Sequence, residues 1–106
     1  MDTQERVKRL KEIFNEGRYG WEDAIYGLAE EIPEGEFEPK YIDDIELDHG
    51  RWMFYMMTIV ELNENEFYGM NWEKGKTESQ ENMWDDDRIF PVEKIVIETY
   101  EWKPKK

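Results

Sequence analysis

The chain has 106 residues and a formal net charge of −13, with 39% hydrophobic residues, 15% aromatic residues and no cysteine. This length provides for one domain with a modest core, and the aromatic content excludes a disordered acidic tail. The lack of cysteine excludes disulfides, zinc–thiolate sites and cysteine nucleophiles. Because no stretch has the apolar run of a signal peptide or a membrane span, we expect a soluble, cytoplasmic protein.

The negative charge is concentrated in the middle of the chain. Residues 21–89 contain 20 acidic and 5 basic residues, whereas the two ends are slightly positive. Such a field repels nucleic acid and lipid headgroups and accelerates encounter with basic proteins. Acidic residues also keep small proteins soluble, and that explanation accounts for the charge equally well.

The first 32 residues predict two amphipathic helices. Asp2 and Glu5 form a capping box before a helix over residues 3–16, which Gly17 ends. The side of this helix away from its apolar stripe is predicted to be a basic patch, either solvated or paired with the chain's own acidic region, and is formed by Arg6, Lys8, Arg9 and Lys11.

The second helix begins at Trp21 and ends before Pro33, and its apolar residues share one side. Glu22 and Asp23 lie in its first turn, where carboxylates complement the helix dipole. The segment 33–39, rich in proline, glycine and glutamate, is predicted to be a loop that leads to the sheet.

Residues 41–48 alternate as a strand does. The alternation predicts one face with Tyr41, Asp43, Ile45 and Leu47, and another with Ile42, Asp44, Glu46 and Asp48. Carboxylates two residues apart on a strand are separated by about 6.7 Å, close to the ~6.8 Å between phosphates two base steps apart. Any solvated acidic strand has the same spacing, so it is not specific to nucleic-acid mimicry.

The stretch Arg51–Trp72 predicts the central hairpin of the sheet. Its first strand is apolar on both faces, with Trp52, Phe54, Met56, Thr58, Val60 and Leu62 on one and Met53, Tyr55, Met57 and Ile59 on the other. The turn is Asn63–Glu66, and Gly69 is predicted at a bulge of the second strand. Two helices cover only one face, so we expect the other to be covered by the last strand's aromatics and segment 77–90, or by a partner.

The rest of the chain predicts a glycine turn at 73–76, one helical turn beginning at Thr77, an acidic loop and a last strand over 92–102. The expected fold is therefore α+β, with two N-terminal helices packed on one face of a four-stranded antiparallel sheet. A single domain is expected over 1–106, helical in 1–32 and sheet in 41–102, with a frayed tail at 103–106.

The sequence shows no recognisable catalytic motif. It contains one histidine, His49, and one serine, Ser79, and it lacks a glycine-rich phosphate loop and an HExxH motif. Asp85, Asp86 and Asp87 are consecutive, but the alternating ligands of a calcium loop are missing, so a solvated loop is favoured over the alternative of a weak Mg²⁺ or Ca²⁺ contact. We therefore expect a protein that is not an enzyme and has no cofactor or metal.

Residues 67–102 resemble small uncharacterised proteins encoded by phages and prophages of Gram-positive bacteria. A Gly-x-Thr-Glu-x-Gln-Glu-Asn pattern carries the resemblance, at Gly75, Thr77, Glu78, Gln80, Glu81 and Asn82. The resemblance implies a mobile-element protein acting in the cytoplasm of a bacterial host, with an anti-CRISPR-type inhibitor as one such role.

Charge and resemblance together lead to the hypothesis of an inhibitor that occupies the basic groove of a host nucleic-acid-binding protein, such as an RNA-guided nuclease. The carboxylates expected to replace phosphates are Asp43, Asp44, Glu46, Asp48, Glu73, Glu78, Glu81, Asp85, Asp86 and Asp87. One alternative is a structural phage component that self-associates through the apolar sheet. Another is a small ligand-binding domain or enzyme with a pocket between Trp52, Tyr55, Tyr68 and Trp72.

Overall fold

The computed structural model describes residues 1–17, 20–77, 80–84 and 87–93. These residues form two helices and four strands: α1 (Thr3–Gly17), α2 (Trp21–Glu31), β1 (Lys40–His49), β2 (Met53–Asn63), β3 (Glu66–Gly75) and β4 (Phe90–Val92). The strands form one antiparallel sheet in the order β1-β2-β3-β4, and the helices pack against it. The predicted α+β fold is confirmed.

The start of α1 follows the predicted capping signal. The Asp2 carboxylate accepts a hydrogen bond of 2.8 Å from the Glu5 backbone N–H, which satisfies a free donor of the first turn of α1. The second helix begins after Gly20, whose φ of 107° and ψ of 171° belong to a region used almost only by glycine. No helix in the described ranges has the length and apolar character needed to cross a bilayer.

The core lies between the helices and one face of the sheet, which we call the helix-side face. Phe14 of α1 stacks on Trp21 of α2 with ring centroids 3.7 Å apart, and Trp84 stacks on Trp72 of β3 at 4.3 Å. Segment 77–90 thus contributes Trp84 to the helix-side face, whereas Phe90 of the same segment lies on the opposite face, as one expectation had it. The buried apolar residues are Leu10, Phe14, Trp21, Ala24, Ile25, Leu28, Val60, Leu62 and Met70.

Arg6 belongs to this core, so its predicted place in a solvated basic patch is wrong. It shares the buried stripe of α1 with Leu10 and Phe14, four and eight residues later, and is 1% exposed. One guanidinium nitrogen, Nη1, donates to the carbonyl oxygens of Phe37 at 2.6 Å and Leu62 at 2.7 Å. The side chain therefore joins α1 to the 33–39 loop and to the end of β2.

The predicted alternation of β1 is also wrong. Ile42 and Leu47 are extra residues without partners of their own on β2, since Tyr41 and Asp43 face Val60 and Ile59, and Glu46 and Asp48 face Met56 and Tyr55. Each extra residue is a β-bulge, and each reverses the faces of the residues that follow. Asp44 and Glu46 consequently lie on the helix-side face, whereas Asp43 and Asp48 lie on the opposite one.

The opposite face of the sheet, which we call the open face, is largely apolar. Among the described residues it is formed by Asp43, Ile45, Asp48, Met53, Tyr55, Met57, Ile59, Glu61, Phe67, Gly69, Asn71, Glu73, Phe90 and Val92. Tyr55 is paired on this face and Tyr68 and Trp72 on the helix-side face, yet Tyr55 and Trp72 both line a concavity of about 260 Å³ beside Met83, so the structure brings together two of the four members of the predicted ligand pocket. Trp52 precedes β2 and is 53% exposed, so it is not part of the predicted apolar face.

The predicted bulge at Gly69 is wrong, and side chains of the neighbouring strands lie close to this glycine instead. Gly69 pairs in regular register with Ile59, and a Cβ atom there would lie 2.8 Å from the Met57 sulfur and 3.0 Å from the Phe90 ring. Residues 67–69 then pair with the short strand β4. The remainder of the predicted last strand, 94–102, and the tail 103–106 lie outside the described residues.

The segment after β3 returns to that strand. The backbone of Met83 forms two hydrogen bonds with that of Glu73, of 2.8 and 3.0 Å, and the Asn82 carboxamide oxygen accepts one from the Gly75 N–H. Gln80 N–H donates to the Thr77 carbonyl at 3.0 Å, and residues 78–79 of the predicted helical turn lie outside the described residues.

Candidate partner-binding surface

The carboxylates predicted to bind a partner do not form one surface. Glu78, Asp85 and Asp86 lie outside the described residues. The seven others occupy four places: Asp43, Asp48 and Glu73 on the open face, Asp44 and Glu46 on the helix-side face, Asp87 beside α1, and Glu81 in the segment after β3.

Two of the open-face carboxylates, Asp48 on β1 and Glu73 on β3, lie on either side of Tyr55 of β2. Tyr55 of β2 is paired with Asp48 on one side and with Glu73 on the other, so these two acids are two strand spacings apart, about 9.6 Å. Asp43 lies further along β1, opposite Ile59. The three acids therefore border an apolar face and do not cover it.

Asp87 is partly neutralised by α1. Its carboxylate lies 3.9 Å from the Lys11 ammonium and accepts a hydrogen bond of 3.3 Å from the Asn15 carboxamide. These contacts give Asp87 a role in holding the segment against α1, whereas Glu81 is exposed.

The helix-side carboxylate Asp44 is held by a hydrogen-bonded chain. The hydroxyl of buried Thr58 accepts a hydrogen bond from the Trp72 indole N–H at 2.9 Å and donates one to Asp44 at 2.6 Å. Because Asp44 and Thr58 are paired residues of β1 and β2, the sheet register itself creates this contact. The chain fixes the carboxylate at the edge of the core.

Tyr41 reports the negative potential on this surface. Burial, a hydrogen bond to Asp44, and the negative charges of Asp44, Glu22 and Asp43 raise the pKa of Tyr41 to about 12. Glu22 lies in α2, whereas Asp43 and Asp44 lie in β1. These two elements are far apart in sequence, and the packing of α2 on β1 brings their charges together. Sequence reasoning assigned Glu22 only to the helix dipole and missed this role.

A cleft of about 210 Å³ opens where these groups meet. Exposed Glu22 and Asp23 lie at its rim with half-buried Asp44. Its walls are aromatic and polar, formed by Gly20, Trp21, Thr58, Trp72, Asn82 and Trp84. No local pattern in the sequence reveals this cleft, because five separate segments form it.

The acids of this surface have no basic partners in the described part of the chain. The ion pairs there use Glu16, Glu31, Glu36 and Asp87. The acids of β1, together with Glu22, Asp23, Glu73 and Glu81, form none. No three acidic or histidine side chains among the described residues are grouped so that they could hold a metal ion.

The open face contains a second concavity, of about 420 Å³. Its walls are mainly aliphatic and aromatic, with Glu61 and Glu93 among them, and comprise Ile42, Ile45, Met57, Ile59, Asn65, Phe67 and Val92. The mainly apolar walls of such a groove can receive apolar side chains.

We expect Asp44→Asn to lower the pKa of Tyr41 from about 12 toward its ordinary value of 10.0. The substitution removes a negative charge beside the phenol, which makes ionisation easier. Subtracting the alkaline tyrosinate titration of a Tyr41→Phe variant isolates this residue in each background. Asp48→Asn is the control, because it removes the same charge on the other face and is expected to leave the titration unchanged.

The raised pKa also determines a pH dependence of stability. Since the folded pKa lies above the unfolded one, the contribution of Tyr41 is complete below pH 10 and is lost as the pH rises through about 12. The free energy of unfolding should fall over this interval, and less so in Tyr41→Phe. An equal fall in both proteins would contradict the assignment.

Comparison of the chain with family models, with curated proteins and with solved structures finds no significant match.

Proposed function

We propose that this protein binds a basic, nucleic-acid-binding surface of another protein and competes with the nucleic acid for it. An RNA-guided nuclease is the target class we favour, because its DNA channel is lined by lysine and arginine and it reads the adjacent duplex with arginines. The resemblance of residues 67–102 to phage and prophage proteins supports the same class of target.

The observation that carries this proposal is the edge strand β1. Asp43, Glu46 and Asp48 are exposed on it, and no lysine or arginine of the described chain pairs with them. An unpaired carboxylate on an edge strand is accessible to a partner, and a row of them accelerates encounter with a basic surface.

The bulges change the form that phosphate mimicry takes. Asp44 and Glu46 remain two residues apart on one face, at about 6.7 Å along the strand. Asp48 is on the other face, so a continuous row of three is replaced by acids distributed around both sides of the edge. A partner that encloses the edge would contact them all.

The proposal is tested by DNA displacement from a purified Cas9-type nuclease loaded with guide RNA. We expect the chain to displace a target duplex, and increasing salt to weaken its binding steeply, because the contacts are between charges. The triple variant Asp43→Asn, Glu46→Gln, Asp48→Asn should bind at least tenfold more weakly.

The matched control removes three charges elsewhere. Glu12, Glu30 and Glu34 are exposed and unpaired in the described structure, and their replacement by glutamine should change the affinity less than threefold. Equal losses in the two triple variants would show a response to net charge alone. Failure to displace DNA at low salt would reject this target class.

The apolar open face supports a second candidate function, self-association as a structural component. Ile42 lines the 420 Å³ groove and is 45% exposed, and Tyr55, elsewhere on the same face, is 41% exposed. A stable homo-oligomer in light scattering that dissociates on Ile59→Glu would favour this candidate over the inhibitor. The net charge of −13 opposes such association at low salt.

A further inference from the structure

We infer that the cleft between the first turn of α2 and the helix-side face of the sheet binds the guanidinium group of an arginine. The partner that would present this arginine rests on the proposed function. The chemistry of the cleft does not, and it can be tested with arginine alone.

The charge of the cleft selects a cation. Glu22 and Asp23 lie at the rim and Asp44 lies further in, and none is paired with a basic side chain of the described residues. The hydrogen bond from Thr58 fixes Asp44, and a carboxylate has about four acceptor positions, so it can accept further N–H donors. A charged donor bound there makes one of the stronger hydrogen bonds available to a protein.

The aromatic walls select a planar cation over a compact one. Trp72 and Trp84 are stacked within 18° of parallel, and Trp21 lines the same cleft. A guanidinium is planar, weakly hydrated and stacks on aromatic rings, whereas a lysine ammonium is a strongly hydrated point charge. The combination of carboxylates and tryptophans therefore favours arginine.

Trp21 supplies an independent indication of a ligand. This residue is fully buried, and its indole N–H has no acceptor among the described residues. A buried donor without a partner is rare in folded proteins. Because this N–H is closed to solvent, an acceptor on the ligand would reach it only if the adjoining wall of the cleft moved.

The volume of the cleft limits the ligand to one side chain. At about 210 Å³ it is smaller than the roughly 300–1,000 Å³ that small-molecule sites occupy. A nucleotide would also bring phosphates to a rim of carboxylates. A single arginine side chain satisfies both limits.

The test is a titration of the ¹⁵N-labelled protein with N-acetyl-arginine amide, followed through the tryptophan indole signals. We expect saturable shifts at Trp21, Trp72 and Trp84, and at least fivefold weaker binding of N-acetyl-lysine amide. Asp44→Asn, which keeps an oxygen to accept from Thr58, should weaken arginine binding at least tenfold. Shifts that do not saturate, or equal affinity for lysine, would overturn the inference.

Two further variants test whether the binding takes place in this cleft. Glu34→Gln removes the same charge from the exposed 33–39 loop and should leave the affinity within twofold of the original, so a loss equal to that of Asp44→Asn would reject the cleft. Asp23→Asn changes an exposed rim residue with no contact in the described fold and should weaken binding about threefold, which tests the cleft without disturbing the core.

The same proteins separate this inference from the proposed function. If arginine does not bind but DNA displacement and its salt dependence remain, the cleft is rejected and the acidic-surface proposal stands. If arginine binds saturably and no DNA is displaced, the nuclease proposal is rejected and the cleft stands.

Discussion

Replacing Arg6 by methionine is expected to lower the free energy of unfolding by about 3 kcal/mol. The buried guanidinium donates to the carbonyl oxygens of Phe37 and Leu62, and methionine would leave both without that donor. For a domain of this size the loss corresponds to roughly 12–24 °C in melting temperature. Urea denaturation monitored by tryptophan fluorescence measures it directly.

Arg9 provides the matched control on the same helix. It forms two hydrogen bonds of 2.7 Å with the Glu31 carboxylate, but this ion pair is exposed to solvent. Exposed pairs contribute about 1 kcal/mol or less, so Arg9→Met should reduce stability only slightly. Similar losses in the two variants would mean that Arg6 contributes charge alone and not the connection between three segments.

Gly20→Ala is expected to destabilise the fold by about 2–4 kcal/mol. The alanine would have to adopt φ 107° and ψ 171°, a conformation whose strain is of order 1–3 kcal/mol outside glycine. Its Cβ atom would also lie 3.0 Å from Cη2 of Trp84, so the indole that stacks on Trp72 would have to move. Thermal unfolding and the near-ultraviolet circular dichroism of the tryptophans measure the two effects.

Gly35→Ala is the control that measures backbone strain without crowding by a neighbouring side chain. Its φ is +94°, but a Cβ atom there would meet nothing within 4 Å. Gly35→Ala should therefore show the backbone strain alone, about 1–2 kcal/mol, with an unchanged tryptophan spectrum. If Gly20→Ala left that spectrum unchanged as well, the close packing of Trp84 on the start of α2 would be contradicted.

The architecture could be predicted because each of its signals is local. The Asp2 cap, the apolar stripes of the two helices and the Asn63–Glu66 turn each depend on residues a few positions apart. Burial of one face of an amphipathic element then leaves little choice of fold class.

The candidate site could not be predicted in the same way, because nonlocal contacts determine it. Arg6 is polar, and only the carbonyl groups of distant segments explain its burial. The two bulges in β1 leave the composition of the strand unchanged but place Asp44 and Glu46 on the opposite face from Asp48. An alternating pattern in the sequence does not reveal where a strand contains an extra residue, so it predicts Asp44 and Asp48 on the same face.

The cleft could not be predicted either, because residues distant in sequence form it. Glu22 and Trp84 are 62 positions apart in sequence, and neither belongs to a motif. Only the packing of α2 beside the segment after β3 brings them to one opening. Charge in the middle of the chain predicted an acidic surface, but not which acids would share it.

The bulged edge strand has a further consequence, for solubility. A flat, unpaired edge of ten residues next to an apolar face would be a template for strand-by-strand aggregation. Ile42 and Leu47 interrupt the ladder at two points, so an incoming strand could pair only over short stretches between them. The same irregularities that divide the acids between two faces thus help to keep a sheet with one apolar surface from polymerising.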